Sequence, residues 1–284
     1  MLNPENIIIA LDLDGTLLRS DKSVSDFTVE TLKNLSQTGC EIFFVTGRRK
    51  RVADDVLKPF DFPSWLIANN GTTCYRRPSS EIIYTHFFPR EKVEFIIETL
   101  EQINKKPVLI ISDDKIQQDM VMEKSHLDIQ VYRDYFEKSK SFIITENVLK
   151  KSAFIDKVTG IFLTEANTEI QNVISFLKSK TNGNYKFISL DNLNFLPTHT
   201  ILEILEPSMT KWNAICRLKK IIGKENAKVI AFGDDHNDLD MLSFADESYA
   251  MENAIIAAKS ASKKIAPSNE NDGVAKILTK ILHL

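Results

Sequence analysis

One stretch near the start of the chain constrains the fold more than any other: Ile7-Ile-Ile-Ala-Leu-Asp-Leu-Asp-Gly-Thr16. Ile7 to Leu11 is a short apolar run rich in β-branched residues, which predicts a buried strand of a parallel sheet. Asp12 and Asp14 follow it. Positions two apart along a strand share a face, so both carboxylates can point at one spot. Gly15 then lets the chain turn sharply. In open α/β sheets the ligand crevice lies beyond the carboxyl ends of the strands. Two carboxylates this close repel, so one holds a proton or a cation sits between them. Three readings are open here: a solvated acidic turn, a Mg2+ site, or a nucleophile (Asp12) beside a general acid/base (Asp14).

The pattern continues as β-α-β-α-β with short loops, the sign of a doubly wound parallel sheet. Val24 to Leu35 reads as a helix capped by Ser25 or Asp26 and stopped by Gly39. Glu41 to Val45 is a second strand ending in Thr46-Gly47-Arg48. The Thr46 hydroxyl can be offered to an anion, and Gly47 lets backbone come close, although an ordinary βα turn reads the same way. Arg48 to Arg51 is a basic run at the start of the next helix, where cations oppose the macrodipole. Most of the run fits a solvated face, with Arg48 best placed as a positive rim near an anionic substrate. Trp65 to Ala68 is a third strand, turning at Asn69-Asn-Gly71. Thr72 to Tyr75 and Ile82 to Thr85 then form a hairpin.

From about Phe87 the texture changes. Helices over Arg90–Gln102 and Glu169–Leu177 alternate with strands over Pro107–Ile111, Ile161–Leu163, Tyr185–Ser189 and Ile201–Leu205. Residues Asp113 to Lys140 are polar and match no template. No strand in this block ends in a carboxylate or a Thr-Gly pair, so it reads as an α+β layer inserted into the first domain.

The first texture then returns. Met209 to Ile222 is a helix closed by Gly223, with Lys211 in its first turn. Ala227 to Phe232 is an apolar strand ending in Gly233-Asp-Asp-His-Asn-Asp-Leu-Asp240. A solvated acidic helix start explains one or two of Asp234, Asp235, Asp238 and Asp240. It does not explain a Gly-Asp pair directly after a buried strand. Ser248 to Met251, Ala254 to Lys259 and Asp272 to Leu282 complete the chain as strand, helix and helix.

Composition narrows the function. The net charge of −3 over 284 residues offers no polycation for nucleic acid or anionic membrane. No apolar run approaches the roughly 20 residues of a membrane span, and the first residues lack a signal-peptide pattern. Cys40, Cys74 and Cys216 form neither a zinc pattern nor a disulfide framework, so they are expected as buried thiols in a reducing cytoplasm. Trp65 and Trp212 are expected in the core.

Taken together, Asp12-x-Asp14-Gly-Thr16, Thr46-Gly-Arg48, Lys211 at a helix start and Gly233-Asp-Asp-x-Asn-Asp238 resemble the motifs of the haloacid dehalogenase superfamily. Within it the chain is similar to Cof-type phosphatases, which carry a large α/β cap between the second and third motifs. The likeness extends to Asn70-Gly71, Met251-Glu-Asn-Ala254 and Asp272-Gly-Val274. It implies a Rossmann-like core over residues 1–86 and 204–284 and a cap over 87–203. It implies Asp12 as the nucleophile and Asp14 as the acid that protonates the leaving oxygen and then activates water. It implies Mg2+ held by Asp12, the Asp14 carbonyl and Asp234. Thr46, Gly47, Lys211 and Asn237 would surround the phosphate, with Asp238 and Arg48 behind them.

The bottom-up chemistry agrees with those roles. A carboxylate and a phosphoryl group are both anionic, and Mg2+ with Lys211 offsets the charge as it builds up. An all-oxygen donor set suits Mg2+. The implied substrate is a small phosphorylated metabolite: a sugar phosphate, a nucleotide, FMN or pyridoxal phosphate. A phosphosugar-specific phosphatase, a phosphomutase and a silent phosphometabolite sensor are the alternatives. The sensor would not need Asp14. A monomer is expected, because a cap can close over the site within one chain. Asp113, Asp114, His126, Arg133, Thr198 and His199 are the polar candidates of the cap, each expected at the surface or the hinge.

Overall fold

The computed structural model describes residues 4–113, 115–136, 141–190 and 196–282; Asp114 lies outside them. The chain divides into two compact units, Met1–Tyr84 with Met209–Leu284, and Thr85–Ser208. The sequence had suggested crossings at 86/87 and 203/204. The second lies later because the strand through Ile201–Leu205 belongs wholly to the inserted sheet.

In chain order the first unit begins with β1 (Ile7–Leu11), α1 (Asp26–Gln37), β2 (Glu41–Val45), α2 (Lys50–Val56), β3 (Ser64–Ala68), β4 (Thr73–Arg77) and β5 (Glu81–Thr85). The inserted unit holds α3 (Arg90–Glu101), β6 (Val108–Ile111), β7 (Met120–Glu123), α4 (Gln130–Phe136), β8 (Ile143–Glu146), β9 (Val158–Ala166), α5 (Ile170–Thr181), β10 (Lys186–Leu190) and β11 (His199–Leu205). The first unit resumes with α6 (Lys211–Ile221), β12 (Lys228–Gly233), α7 (Leu239–Phe244), β13 (Glu247–Met251), α8 (Ile256–Ala261), β14 (Lys264–Ala266) and α9 (Gly273–Leu282).

The first sheet has the order β14-β13-β12-β1-β2-β3-β4-β5. It is parallel from β14 to β3, and β4 runs antiparallel to β3. β1 sits at its middle, buried along its whole length. Alternation along β1 feeds two cores. Ile7, Ile9 and Leu11 pack with Leu32 and Leu35 of α1 and with Val274 and Leu278 of α9. Ile8 and Ala10 pack with Ala214, Ile215 and Leu218 of α6. A strand covered on both faces has no polar side to show, which is why its sequence is a continuous apolar run. Helices enter where local chemistry allows: the Ser25 hydroxyl accepts from the Thr28 N–H at 3.1 Å and caps α1.

The inserted sheet has the order β10-β11-β9-β6-β7-β8. Its ladders are antiparallel except between β7 and β8. α3 and α5 cover one face through Val93, Ile96, Leu100, Val173 and Leu177. The unassigned Asp113–Lys140 stretch contains β7 and α4, both too short to show a period of their own.

Several expectations need correcting. Cys216 is exposed, unlike Cys40 and Cys74, because α6 turns Ala214, Ile215 and Leu218 inward. Trp65 and Trp212 are half-buried at the margin of the core. His126 is buried at 1% exposure. Its two ring nitrogens lie 3.0 Å and 3.1 Å from the carbonyl oxygens of Glu123 and Lys106, so it fastens a turn and does not reach solvent. Among the described residues no helix is long and apolar enough to cross a membrane.

Phe44 has no exposed surface and lies 5.1 Å, ring to ring, from Phe60. Phe44→Ala should cost about 3–5 kcal/mol, read as a lower urea midpoint for the first unit. An unchanged midpoint would take Phe44 out of the core.

Candidate active site

The site is built where β1, β2 and β12 end. Beyond β1 the Asp12 N–H continues the ladder to the Phe232 carbonyl at 3.1 Å, which keeps the Asp12 side chain buried. The chain then tightens, with the Leu17 and Leu18 N–H groups both donating to the Leu13 carbonyl. Gly15 takes φ +74°, and a Cβ there would lie 2.2 Å from Asp234 Oδ2. The glycine is therefore required twice, by backbone conformation and by the carboxylate pressed against it. Next to it, Thr16 Oγ1 donates to Asp234 Oδ1 at 2.9 Å.

Beyond β12 the acidic run sorts itself by role. Asp238 is wholly buried. Its Oδ2 accepts from the N–H groups of Asp234 and Asp235 at 2.9 and 3.1 Å. A Cβ on Gly233 would meet the Asp238 side chain at 2.6 Å, which explains the Gly-Asp pair. Lys211, in the first turn of α6, is also buried, and its Nζ reaches Asp12 Oδ1 and Asp238 Oδ1, each at 2.6 Å. Its position near a helix N-terminus is unfavourable alone; the two carboxylates compensate for it. Thr210 caps that helix by accepting from the Asn213 N–H at 3.1 Å.

Beyond β2, Thr46 is buried and its Oγ1 accepts from the Arg48 N–H at 3.1 Å. Gly47 packs beside the side chains of Asn70 and Asn237, and Asn237 Nδ2 donates to Asn70 Oδ1 at 2.9 Å. Arg48 precedes α2 and grips Asp14 with two hydrogen bonds of 2.6 Å each. Lys22 adds a third contact to Asp14 at 2.8 Å.

The two aspartates of the first motif are thus electrostatically opposite. Burial pushes the Asp12 carboxyl well above its usual range; Lys211 pulls it down, and Asp238 and Asp234 add to the upward push. Burial would raise Asp14 as well, but the Arg48 hydrogen bonds and charge, with Lys22 behind them, bring it down to about 2. Burial, with Asp238 close by, lifts Asp234 to about 7. For Lys211, burial works against the charge, and Asp12 and Asp238 more than offset it, so its pKa lies above the ordinary lysine value.

Asp12, Asp234 and Asp238 each offer an oxygen, and these oxygens all lie within 4.8 Å of one another. Three carboxylates here face one buried ammonium. The excess negative charge in a poorly solvated place is what a divalent cation relieves. The all-oxygen donor set, with no sulfur or imidazole, fits a hard ion such as Mg2+.

Asp12, Asp14, Thr46, Gly47, Arg48, Asp234, Asn237 and Asp238 therefore lie just beyond these strand ends, and Lys211 reaches them from the first turn of α6. Sequence reasoning missed four partners: Thr16 as a ligand of Asp234, Lys22 on Asp14, Asn70 beneath Asn237, and Asn253, whose Nδ2 donates to the Gly15 carbonyl at 2.7 Å. Asn70 and Asn253 stood inside stretches already quoted for their family likeness. Lys22 is a cation in a polar turn and carries no local signal.

An α/β sheet with carboxylates, a buried lysine and small hydroxyl and glycine residues crowded at its strand ends is the setting of a hydrolase site. The chain belongs to the haloacid dehalogenase-like hydrolases, whose family profile matches residues 9–278, and within them it is of Cof type. It is 26% identical over 278 residues to the 5-amino-6-(5-phospho-D-ribitylamino)uracil phosphatase of Bacillus subtilis, covering 98% of each chain. A haloacid dehalogenase-like hydrolase of Bacteroides thetaiotaomicron superposes with a TM-score of 0.76 at 27% identity, covering 97% of this chain and 98% of that one. A crystal structure from Thermotoga maritima gives 0.75 at 26%, covering 96% of each.

Lys211→Met would leave Asp12 and Asp238 buried without their cation. The cost should be about 3–5 kcal/mol, read as a lower melting temperature in EDTA. An unchanged melting temperature would show that the bridge does not hold the site together.

Proposed function

We propose that the protein is a Mg2+-dependent phosphatase that hydrolyses a small phosphorylated metabolite through an aspartyl-phosphate on Asp12. The observation that carries this reading is the gathering of Asp12, Asp234 and Asp238 around the single ammonium of Lys211. Asp12, the Asp14 carbonyl and Asp234 would hold Mg2+, which when bound supplies positive charge beside the phosphoryl oxygens.

The chain's own groups account for the rest. An Asp12 carboxylate oxygen attacks phosphorus as the bond from phosphorus to the leaving oxygen breaks, and Asp14 gives that oxygen its proton. Asp14, now anionic, takes a proton from water. The water oxygen bonds to phosphorus, the bond from phosphorus to Asp12 breaks, and inorganic phosphate leaves. Lys211 stays beside Asp12 throughout and offsets the charge on the transferring group. Thr46, the Gly47 backbone and Asn237 surround the phosphate. Asp238 orients Lys211 by accepting a hydrogen bond from its ammonium, and Arg48 orients Asp14. In the observed arrangement Arg48 and Lys22 favour the anionic form of Asp14, the form that activates water. Its role as acid in the first step requires the anionic substrate to draw these two cations away, so that Asp14 carries a proton when the leaving oxygen departs.

The Bacillus subtilis relative is named for a phosphorylated ribityl substrate. That supports a substrate whose phosphate sits on a sugar or polyol chain. The test is phosphate release from hexose, pentose and polyol phosphates, nucleotides, FMN and pyridoxal phosphate, with Mg2+ and with EDTA. Release should require Mg2+, fall by about 10⁴-fold or more in Asp12→Asn, and slow by about 10²–10⁴-fold in Asp14→Asn. EDTA-insensitive release, or turnover retained by pure Asp12→Asn, would overturn the proposal.

A further inference from the structure

The turn from Gly15 to Arg19 is held from outside by three side chains of the segment that follows β13. Asn253 Nδ2 donates to the Gly15 carbonyl at 2.7 Å, and its Oδ1 accepts from the Asn269 N–H at 3.1 Å. Asn269 Nδ2 donates to the Leu18 carbonyl at 2.9 Å. Arg19 Nη2 pairs with Asp272 at 3.0 Å. The three contacts differ in what they can reach. Asn269 and Asp272 act at the far end of the turn. Asn253 acts on the Gly15–Thr16 peptide, one residue beyond Asp14.

Fixing the Gly15 carbonyl fixes the plane of the Gly15–Thr16 peptide, and so the direction from which Thr16 Oγ1 meets Asp234 Oδ1 at 2.9 Å. The same segment holds Asp234 by its backbone, since the Ile255 N–H donates to the Asp234 carbonyl at 3.0 Å. Asn253, two residues before Ile255, thus belongs to the segment that bonds both the turn after Asp14 and the backbone of Asp234. It is itself exposed to solvent. Core packing does not account for an exposed amide with both of its ends committed to backbone partners.

We infer that Asn253 is a positioning residue for the metal site, acting through Gly15 and Thr16 on Asp234 without touching ion or substrate. The inference rests on the Mg2+-dependent reading above. Partners that orient metal ligands are typically worth about 10–100-fold in metal affinity.

The experiment titrates Mg2+ alone, without substrate, into the wild-type chain, Asn253→Ala and Asn271→Ala, and follows the heat of binding. Asn271 is an exposed asparagine of the same segment whose side chain, among the described contacts, donates to Ser268 Oγ and not to the first motif. Asn253→Ala should bind Mg2+ about 10-fold more weakly, with Asn271→Ala equal to wild type and all three melting alike in EDTA. In turnover, the Mg2+ concentration for half-maximal rate should rise by the same factor in Asn253→Ala, with the substrate KM at saturating Mg2+ unchanged. Equal Mg2+ affinity in wild type and Asn253→Ala would overturn this inference alone. A wild-type chain that binds no Mg2+ would overturn the metal reading and this inference with it.

Discussion

The site depends on one buried cation. Lys211 has 1% of its surface exposed and spans Asp12, at the end of the central strand, and Asp238, beyond the neighbouring one. Taking an ammonium out of water is costly unless it is paired and its protons are bonded. Here one carboxylate on each side does that. Asp238 is then completed by two backbone N–H groups, so its position follows from the chain path after β12. The bridge ties three elements to one point, and Asp234, Thr16 and Gly15 fit around it.

What the sequence revealed, and what it hid, follows from where each interaction is encoded. β1 was readable because a strand covered on both faces is an uninterrupted apolar run, and the carboxylates beyond it stand two residues apart. The Gly-Asp pair after β12 was readable for the same reason. The contact of Lys211 with Asp12 joins residues 199 apart, and no local pattern specifies it; the joint order of the motifs implied only that both residues meet the same phosphate. Lys22 and Asn253 were silent because their partners are a side chain across a turn and a backbone carbonyl from the other end of the chain. The stretch from Asp113 to Lys140 failed differently. β7 spans only Met120–Glu123 and is buried throughout, so alternation had nothing to mark it. His126 looked like a surface residue because polarity alone predicts exposure, whereas two carbonyl oxygens stand ready for its ring.

The strands beyond β12 gain a purpose from the same geometry. β13 and β14 extend the sheet beyond β12, and the turns they carry return to the first motif through Asn253, Asn269 and Asp272. The family likeness of Met251–Ala254 and Asp272–Val274, noticed as sequence, acquires a physical content. These residues hold the turn in which Gly15 must adopt φ +74° against the Asp234 carboxylate.

The central claim is that Asp12 carries the phosphoryl group. It is tested most directly by quenching the enzyme during turnover into borohydride, which reduces an acyl phosphate to an alcohol, and locating the product by peptide mass spectrometry. The account predicts homoserine at position 12, formed only with substrate and Mg2+ present. Turnover with no modified residue, or modification at Asp14 or Asp234 in place of Asp12, would contradict it.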